Sequence, residues 1–136
     1  MSGHFAAYKE SMLGTDIHSR VVIATDTIKF LCVDHADDNP ALATDQDHAD
    51  ILTAGIVATS AALATKTIVA GVFDHADTTL TAVTGDQFES VVYYKDSTVS
   101  TTSPLMTKID AGTGLPFTPS GGDIIVRPNA SGVFAL

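Results

Sequence analysis

The sequence contains one cysteine, no tryptophan and only seven lysines and arginines among 136 residues. The single cysteine, Cys32, excludes an internal disulfide. Its position in the apolar run Ile28 to Val33 predicts a small core side chain rather than a nucleophile. No apolar run reaches the ~18 residues that a membrane-spanning helix requires. The first four residues, Met-Ser-Gly-His, have neither the basic nor the apolar region of a secretion signal, so we expect synthesis in a reducing host cytoplasm and no membrane partner.

The scarcity of basic residues also limits the partners of the chain. The formal net charge is −9, and the lysines and arginines occur singly rather than in a patch. Because binding to nucleic acid depends on clustered positive charge, direct nucleic-acid binding is not expected. With 45% hydrophobic residues, the chain nevertheless has the composition of a folded domain.

Short β-type segments separated by turns dominate the sequence from residue 21 onward. Their spacing of about ten residues predicts an all-β fold, either an antiparallel sandwich or a jelly-roll-like barrel. The short connection at residues 84–86 predicts a hairpin between two of these segments, 78–83 and 87–94. Extended structure is favoured from Ile56 onward, although the alanine-rich stretch 51–64 is also compatible with a helical turn. The predicted strands are 21–25, 27–33, 67–73, 78–83, 87–94, 105–110, 123–127 and 132–136.

The N-terminal residues have a different pattern. Phe5, Tyr8, Met12 and Leu13 fall on one face of a helix over residues 5–14, which Gly14 would end. Such a short helix needs a surface to pack on, either its own domain or a partner. We therefore divide the chain into an N-terminal arm, residues 1–18, and a single β domain, residues 19–136.

Asp-His-Ala-Asp occurs twice, at residues 34–37 and 74–77, and the first copy opens an aspartate-rich segment, 34–50, that we expect to be a long exposed loop. Carboxylate and imidazole groups are metal ligands, but the spacing matches neither an EF-hand loop nor a zinc motif. Turns closed by aspartate side chains explain the repeat without a metal. We expect no metal and no cofactor, with a soluble metal-binding protein as an alternative.

Catalytic motifs are not found in the sequence. It has no Gly-x-Ser-x-Gly motif, and the Gly-x-Gly at residues 112–114 lacks the third glycine of a dinucleotide site. We expect a protein that is not an enzyme.

The stretch Asp110 to Asp123 concentrates four glycines and two prolines between two predicted strands. Pro116 and Pro119 remove backbone donors, so the stretch is expected to connect strands rather than lie inside a sheet. We expect its apolar pair, Leu115 and Phe117, to be buried under the turn; the alternative is that the pair contacts a neighbouring molecule.

A further pattern is carried by seven short segments: residues 8–13, 26–30, 66–73, 92–96, 102–105, 112–116 and 121–124. Together these segments resemble small structural proteins of tailed bacteriophages. The similarity extends over nearly the whole chain and consists of strands and turns, with the segment 34–50 as the main departure.

The resemblance implies a virion protein, most similar to a capsid decoration (cement) protein. Such a protein would bind the outer surface of the major capsid protein lattice as a homo-oligomer, a dimer or trimer, with the acidic loop 34–50 facing outward. A tail-associated or receptor-binding module is the alternative. On this hypothesis the interface residues are Phe5, Tyr8, Met12, Leu13, Leu115 and Phe117.

Overall fold

The structure, a computed structural model, describes residues 1–14 and 21–135. Within these ranges one α-helix, α1 (Ala6–Met12), accompanies ten short strands, and single 3₁₀ turns occur at residues 48–50, 53–55 and 100–102. The strands are β1 (Gly3–His4), β2 (Ile28–Val33), β3 (Ile56–Thr59), β4 (Thr67–Val69), β5 (Val72–Asp74), β6 (Thr78–Leu80), β7 (Ser90–Lys95), β8 (Leu105–Ile109), β9 (Ile124–Val126) and β10 (Phe134–Ala135).

All strand pairings among the described residues are antiparallel. The main sheet has five strands in the order β1-β8-β7-β2-β3. A three-stranded sheet, β10-β5-β4, and a two-stranded sheet, β6-β9, complete the fold. The predicted all-β class with a short N-terminal helix is confirmed.

One face of the main sheet is covered by the three-stranded sheet. Phe30, Tyr93 and Thr107 lie in register across β2, β7 and β8 and therefore share this face. Phe73 of β5 packs on Tyr93, with ring centroids 6.2 Å apart, and Phe134 of β10 lies 5.4 Å from Phe73. The core of the domain lies between these two sheets.

The opposite face of the main sheet is covered by the segment 34–50. The prediction of a long exposed loop is correct only in part, because Asp34 and Pro40 are buried while about half of the segment is exposed. Leu31, Val92 and Lys108 share this face and are all buried. Lys108 donates from Nζ to Asn39 Oδ1 at 2.5 Å and to the buried Pro40 carbonyl at 3.1 Å. An apolar strand pair at the centre of a sheet needs cover on both faces, and this segment supplies it.

Two predicted strands have a different structure. Residues 21–25 form a turn, in which Asp26 Oδ2 accepts a hydrogen bond from the Val22 amide at 2.6 Å. The run 67–73 is not one strand but the hairpin of β4 and β5, which reverses at Ala70 (φ 51°) and Gly71 (φ 79°). Positive φ at both central residues is the backbone requirement of the tight hairpin turn.

The predicted hairpin between residues 78–83 and 87–94 is also wrong. β6 pairs with β9, whereas β7 pairs with β2 and β8. After β6 the chain turns towards the glycine pair 121–122: Val83 donates to the Gly122 carbonyl at 3.0 Å, and Gly121 donates to the Val83 carbonyl at 2.8 Å.

The N-terminal residues are docked on the domain rather than extended from it. β1 adds to the edge of the main sheet beside β8, and the Phe5 amide donates to the Met106 carbonyl at 3.1 Å. The proposed boundary after residue 18 lies outside the described residues. None of the helices in the described ranges is long and apolar enough to cross a membrane.

Candidate functional site

Three histidines contact the central strand β7. His35 Nε2 lies 2.9 Å from Ser90 Oγ, His75 Nε2 lies 3.0 Å from the Tyr93 hydroxyl, and the His48 ring packs edge-on against Tyr94 with centroids 5.0 Å apart. Side chains alternate along a strand, so His75 lies on the face opposite to His35 and His48. The two Asp-His-Ala-Asp copies therefore do not converge on one metal site.

His75 is buried as a neutral imidazole. Its Nδ1 lies 2.7 Å from the Ala76 carbonyl, so Nδ1 carries the proton and Nε2 accepts from the Tyr93 hydroxyl. Burial lowers the pKa of His75 below its ordinary value, while the Ala76 carbonyl and the nearby carboxylates of Asp74 and Asp77 oppose this shift. Burial also raises the pKa of Tyr93, so both side chains remain uncharged near neutral pH.

We expect the free energy of unfolding to decrease as the pH falls below about 6.5, the usual histidine pKa in an unfolded chain. A folded-state pKa below that value means that the unfolded chain binds more protons, so acidification favours unfolding. Burial lowers the pKa of His4 and His35 as well as that of His75. Urea unfolding at about pH 7.5 and about pH 5.5 measures the effect.

A His75→Gln variant should show a weaker pH dependence, because the amide can donate to Ala76 and accept from Tyr93 without titrating. A Tyr93→Phe variant is the matched control: it loses the hydroxyl but keeps the imidazole, so it should be less stable at both pH values with the slope retained. An unchanged slope in His75→Gln would contradict the assignment.

An acidic cluster lies directly after β2, where the first Asp-His-Ala-Asp sequence begins. Ligand oxygens of Asp34, Asp37 and Asp86 lie within 4.8 Å of one another, with Asp34 buried and the other two exposed. Asp34 Oδ1 accepts from the Ala36 amide at 2.7 Å, which is the turn chemistry that the sequence predicted. Three carboxylates in this arrangement could hold a hard cation such as calcium. The expectation of a protein without metal or cofactor stays a prediction.

Cys32 is a core residue, as predicted. The side chain is fully buried in β2, and burial raises the pKa of its thiol to about 12. A thiol that stays protonated at neutral pH is a poor nucleophile.

The predicted N-terminal interface residues fall into two groups. Phe5 and Tyr8 are buried in the domain's own core, with 0% and 4% of their surfaces exposed, so their assignment as partner contacts is corrected. They face inward because β1 and α1 pack on the main sheet and β10. Met12 and Leu13, at the end of α1, are 41% and 87% exposed and can still contact a partner.

The expectation that Leu115 and Phe117 are buried under the turn is wrong for Phe117 and correct only in part for Leu115, which packs partly buried against the core. Phe117 exchanges two backbone hydrogen bonds with Phe88, each 2.9 Å long, and this pairing leaves Leu115 half-buried and Phe117 36% exposed. Both side chains line an open apolar groove of about 470 Å³ beside β9. They therefore remain available for contacts.

The apolar hairpin of β4 and β5 is the exposed surface that sequence reasoning missed. Ile68 and Val69 are 50% and 70% exposed. The predicted strand 67–73 contains the dipeptide Ala70-Gly71, at which the chain reverses. The glycine is the feature of the sequence that indicates this turn. An exposed apolar hairpin is typical of an interaction surface.

No protein-family model matches this chain, and a search of curated proteins finds no match.

Proposed function

We propose that this protein is a non-enzymatic structural component of a tailed-bacteriophage particle, a capsid decoration protein that binds the outer surface of the major capsid protein lattice. The observation that carries the proposal is the β4–β5 hairpin, which presents Ile68 and Val69 to solvent. Binding by shape and apolar burial needs neither turnover nor a cofactor. The resemblance of the sequence to small virion proteins supplies the partner.

The hairpin is a stiff element. In its middle pair, Phe73 is 1% exposed and lies among the rings of Tyr93 and Phe134. At its tip, the two-residue turn allows little conformational freedom. Because little side-chain or backbone entropy remains to be lost, an apolar tip held in this way can bind with a small ordering cost.

The exposed end of α1 belongs to the N-terminal segment, which packs against the same small sheet as the hairpin. Phe134, in the same small sheet as the hairpin, lies 4.8 Å from the His4 ring and 6.4 Å from the Tyr8 ring. The N-terminal segment and the hairpin sheet are thus parts of one packed unit. Met12 and Leu13 add apolar area to the proposed capsid contact.

The charge distribution also favours this surface. Residues 51–73, which include the hairpin, contain a single charged side chain, Lys66, in a chain of net charge −9. Burying this segment therefore desolvates few charges. The remaining acidic surface suits a protein that faces solvent on the outside of a particle, away from packaged DNA.

We expect a Val69→Asp variant to bind undecorated capsids at least about tenfold more weakly than the natural protein, a loss of about 1.4 kcal/mol. The added carboxylate would have to be desolvated in the contact. Co-sedimentation of purified protein with capsids, followed by quantification of the bound fraction, measures the change.

Val99→Asp provides the matched control, since Val99 is also exposed, at 53%, but precedes the 3₁₀ turn at residues 100–102. It should bind normally. Equal binding by the two variants would contradict the hairpin contact. Binding to tails in place of heads, at a copy number that does not scale with the capsid lattice, would favour the tail-associated alternative. Deleting residues 1–14 is a poorer test, because it also removes Phe5 from the core.

A further inference from the structure

Strand β3 forms an open edge of the main sheet. Among the described residues, its one strand neighbour is β2. The Ser60 amide donates to the Phe30 carbonyl, and the Phe30 amide donates to Ser60 Oγ, both at 2.9 Å, so Ser60 is turned towards β2. Backbone groups alternate in direction along an antiparallel strand. The N–H and C=O groups of Thr59, the exposed last residue of β3, therefore point away from the sheet.

This edge lacks the charges that usually protect an exposed strand. Edge strands are commonly guarded by charged side chains, prolines, bulges or short length. Residues 51–65 contain no charged residue and no proline. The bulge in the β2–β3 pairing lies between Cys32 and Val33, opposite the beginning of β3, and so leaves Thr59 at the end of the strand clear. The opposite edge, β1, has only two residues.

We infer that the β3 edge is a self-association site, at which Thr59 pairs antiparallel with Thr59 of a second copy across a two-fold axis. Two five-stranded sheets would then become one continuous sheet. Identical strands related by a two-fold axis are antiparallel by symmetry, so each copy supplies the complementary donors and acceptors. The inference depends on β3 alone and not on the capsid role: capsid binding and dimer formation can fail separately.

The β3 edge is a surface at which two copies of this acidic chain would repel each other little. With a net charge of −9, two copies repel each other over most of their surfaces, whereas the β3 edge is neutral. The acidic cluster of Asp34, Asp37 and Asp86 lies at the start of β3, where the Asp34 amide donates to the Gly55 carbonyl at 2.9 Å. Antiparallel pairing centred on Thr59 would place the two clusters roughly 26 Å apart, at about 3.3 Å per residue. That separation is several Debye lengths at physiological ionic strength.

Exposed apolar side chains flank the paired segment. Leu52 is 59% exposed just before β3, and Ala61, Ala62 and Ala64 are exposed after it. These residues add apolar area to a contact that backbone hydrogen bonds alone would leave small compared with the roughly 800 Å² per partner of a stable interface.

Sedimentation-velocity analysis of the full chain tests the inference. The natural protein should sediment as a dimer, and Thr59→Lys should sediment as a monomer with an unchanged melting temperature, because the lysine adds a charge only at the edge. Thr79→Lys is the matched control: the same change at an exposed threonine in another short strand, β6, should leave the dimer intact. A monomeric natural protein, or a Thr59→Lys protein that remains a dimer or forms a trimer, would overturn the inference.

A cysteine variant gives a second readout that does not depend on the lysine variant folding well. Cys32 is buried, so a Thr59→Cys protein has one reactive thiol in the described part of the chain. Mild oxidation should give a disulfide-linked dimer, because residue 59 of each copy lies directly opposite residue 59 of the other, and such side chains have Cβ atoms about 5 Å apart. Thr79→Cys should remain uncrosslinked under the same conditions. Equal cross-linking of the two variants would indicate random collision and overturn the inference.

Discussion

Replacing Gly132 with alanine is expected to lower the free energy of unfolding by about 2 to 5 kcal/mol. Gly132 has a φ of +93°, and a Cβ built on it would lie 2.8 Å from the Phe73 carbonyl oxygen and would overlap the Val72 side chain. The next residue, Val133, donates to the same carbonyl at 2.7 Å, so the backbone cannot move away without losing the bond that starts the β10–β5 pairing. Urea denaturation measures the loss.

Gly114→Ala separates backbone strain from steric overlap. Its φ of +91° nearly equals that of Gly132, but a Cβ at Gly114 would meet nothing within 4 Å. This variant should lose only about 1 to 2 kcal/mol, the cost of a left-handed conformation. Equal losses in the two variants would show that close packing against β5 is not important at Gly132.

A Phe73→Ala variant is expected to lose about 3 to 5 kcal/mol of unfolding free energy. Phe73 joins the three-stranded sheet to the main sheet: its ring centroid lies 5.8 Å from that of His75 and 6.2 Å from that of Tyr93. Truncation leaves a cavity between the two sheets that stiff β neighbours cannot fill. Thermal and urea unfolding measure the effect.

Val69→Ala, in the same hairpin, is the matched control. Val69 lies on the opposite face of the hairpin from Phe73 and is 70% exposed. Its truncation should change stability by no more than about 0.5 kcal/mol. If Phe73→Ala cost no more than this, the three-stranded sheet would contribute little to folding. A large loss in Val69→Ala would instead mean that Val69 is not free for a partner.

Local patterns in the sequence were sufficient to predict several structural features. The residues from Ile28 to Val33 have the composition of a strand and form β2. The aspartate of the first repeat, Asp34, closes a turn on the Ala36 amide. These features depend on residues close together in the chain, whose conformational preferences are encoded where they act.

The exposure of the candidate interface residues could not be predicted in the same way. Phe5 and Leu13 belong to one predicted apolar stripe, yet Phe5 is fully buried and Leu13 is 87% exposed. The difference arises because β1 docks beside β8, a contact between residues more than 100 positions apart, as in the pairing of His4 with Thr107. A helical pattern indicates which side chains share a face, but not how much of that face another element will cover.

The sequence by itself determined the all-β class, the short N-terminal helix, the core position of Cys32 and the acidic, weakly basic character of the chain. Only the tertiary structure decided which strands pair, so that β6 joins β9 rather than β7. It also decided that the aspartate-rich segment 34–50 covers the second face of the main sheet and that the hairpin of β4 and β5 exposes Ile68 and Val69. The physical reason is that strand propensity and turn chemistry are local, whereas strand partners and burial depend on contacts between distant segments.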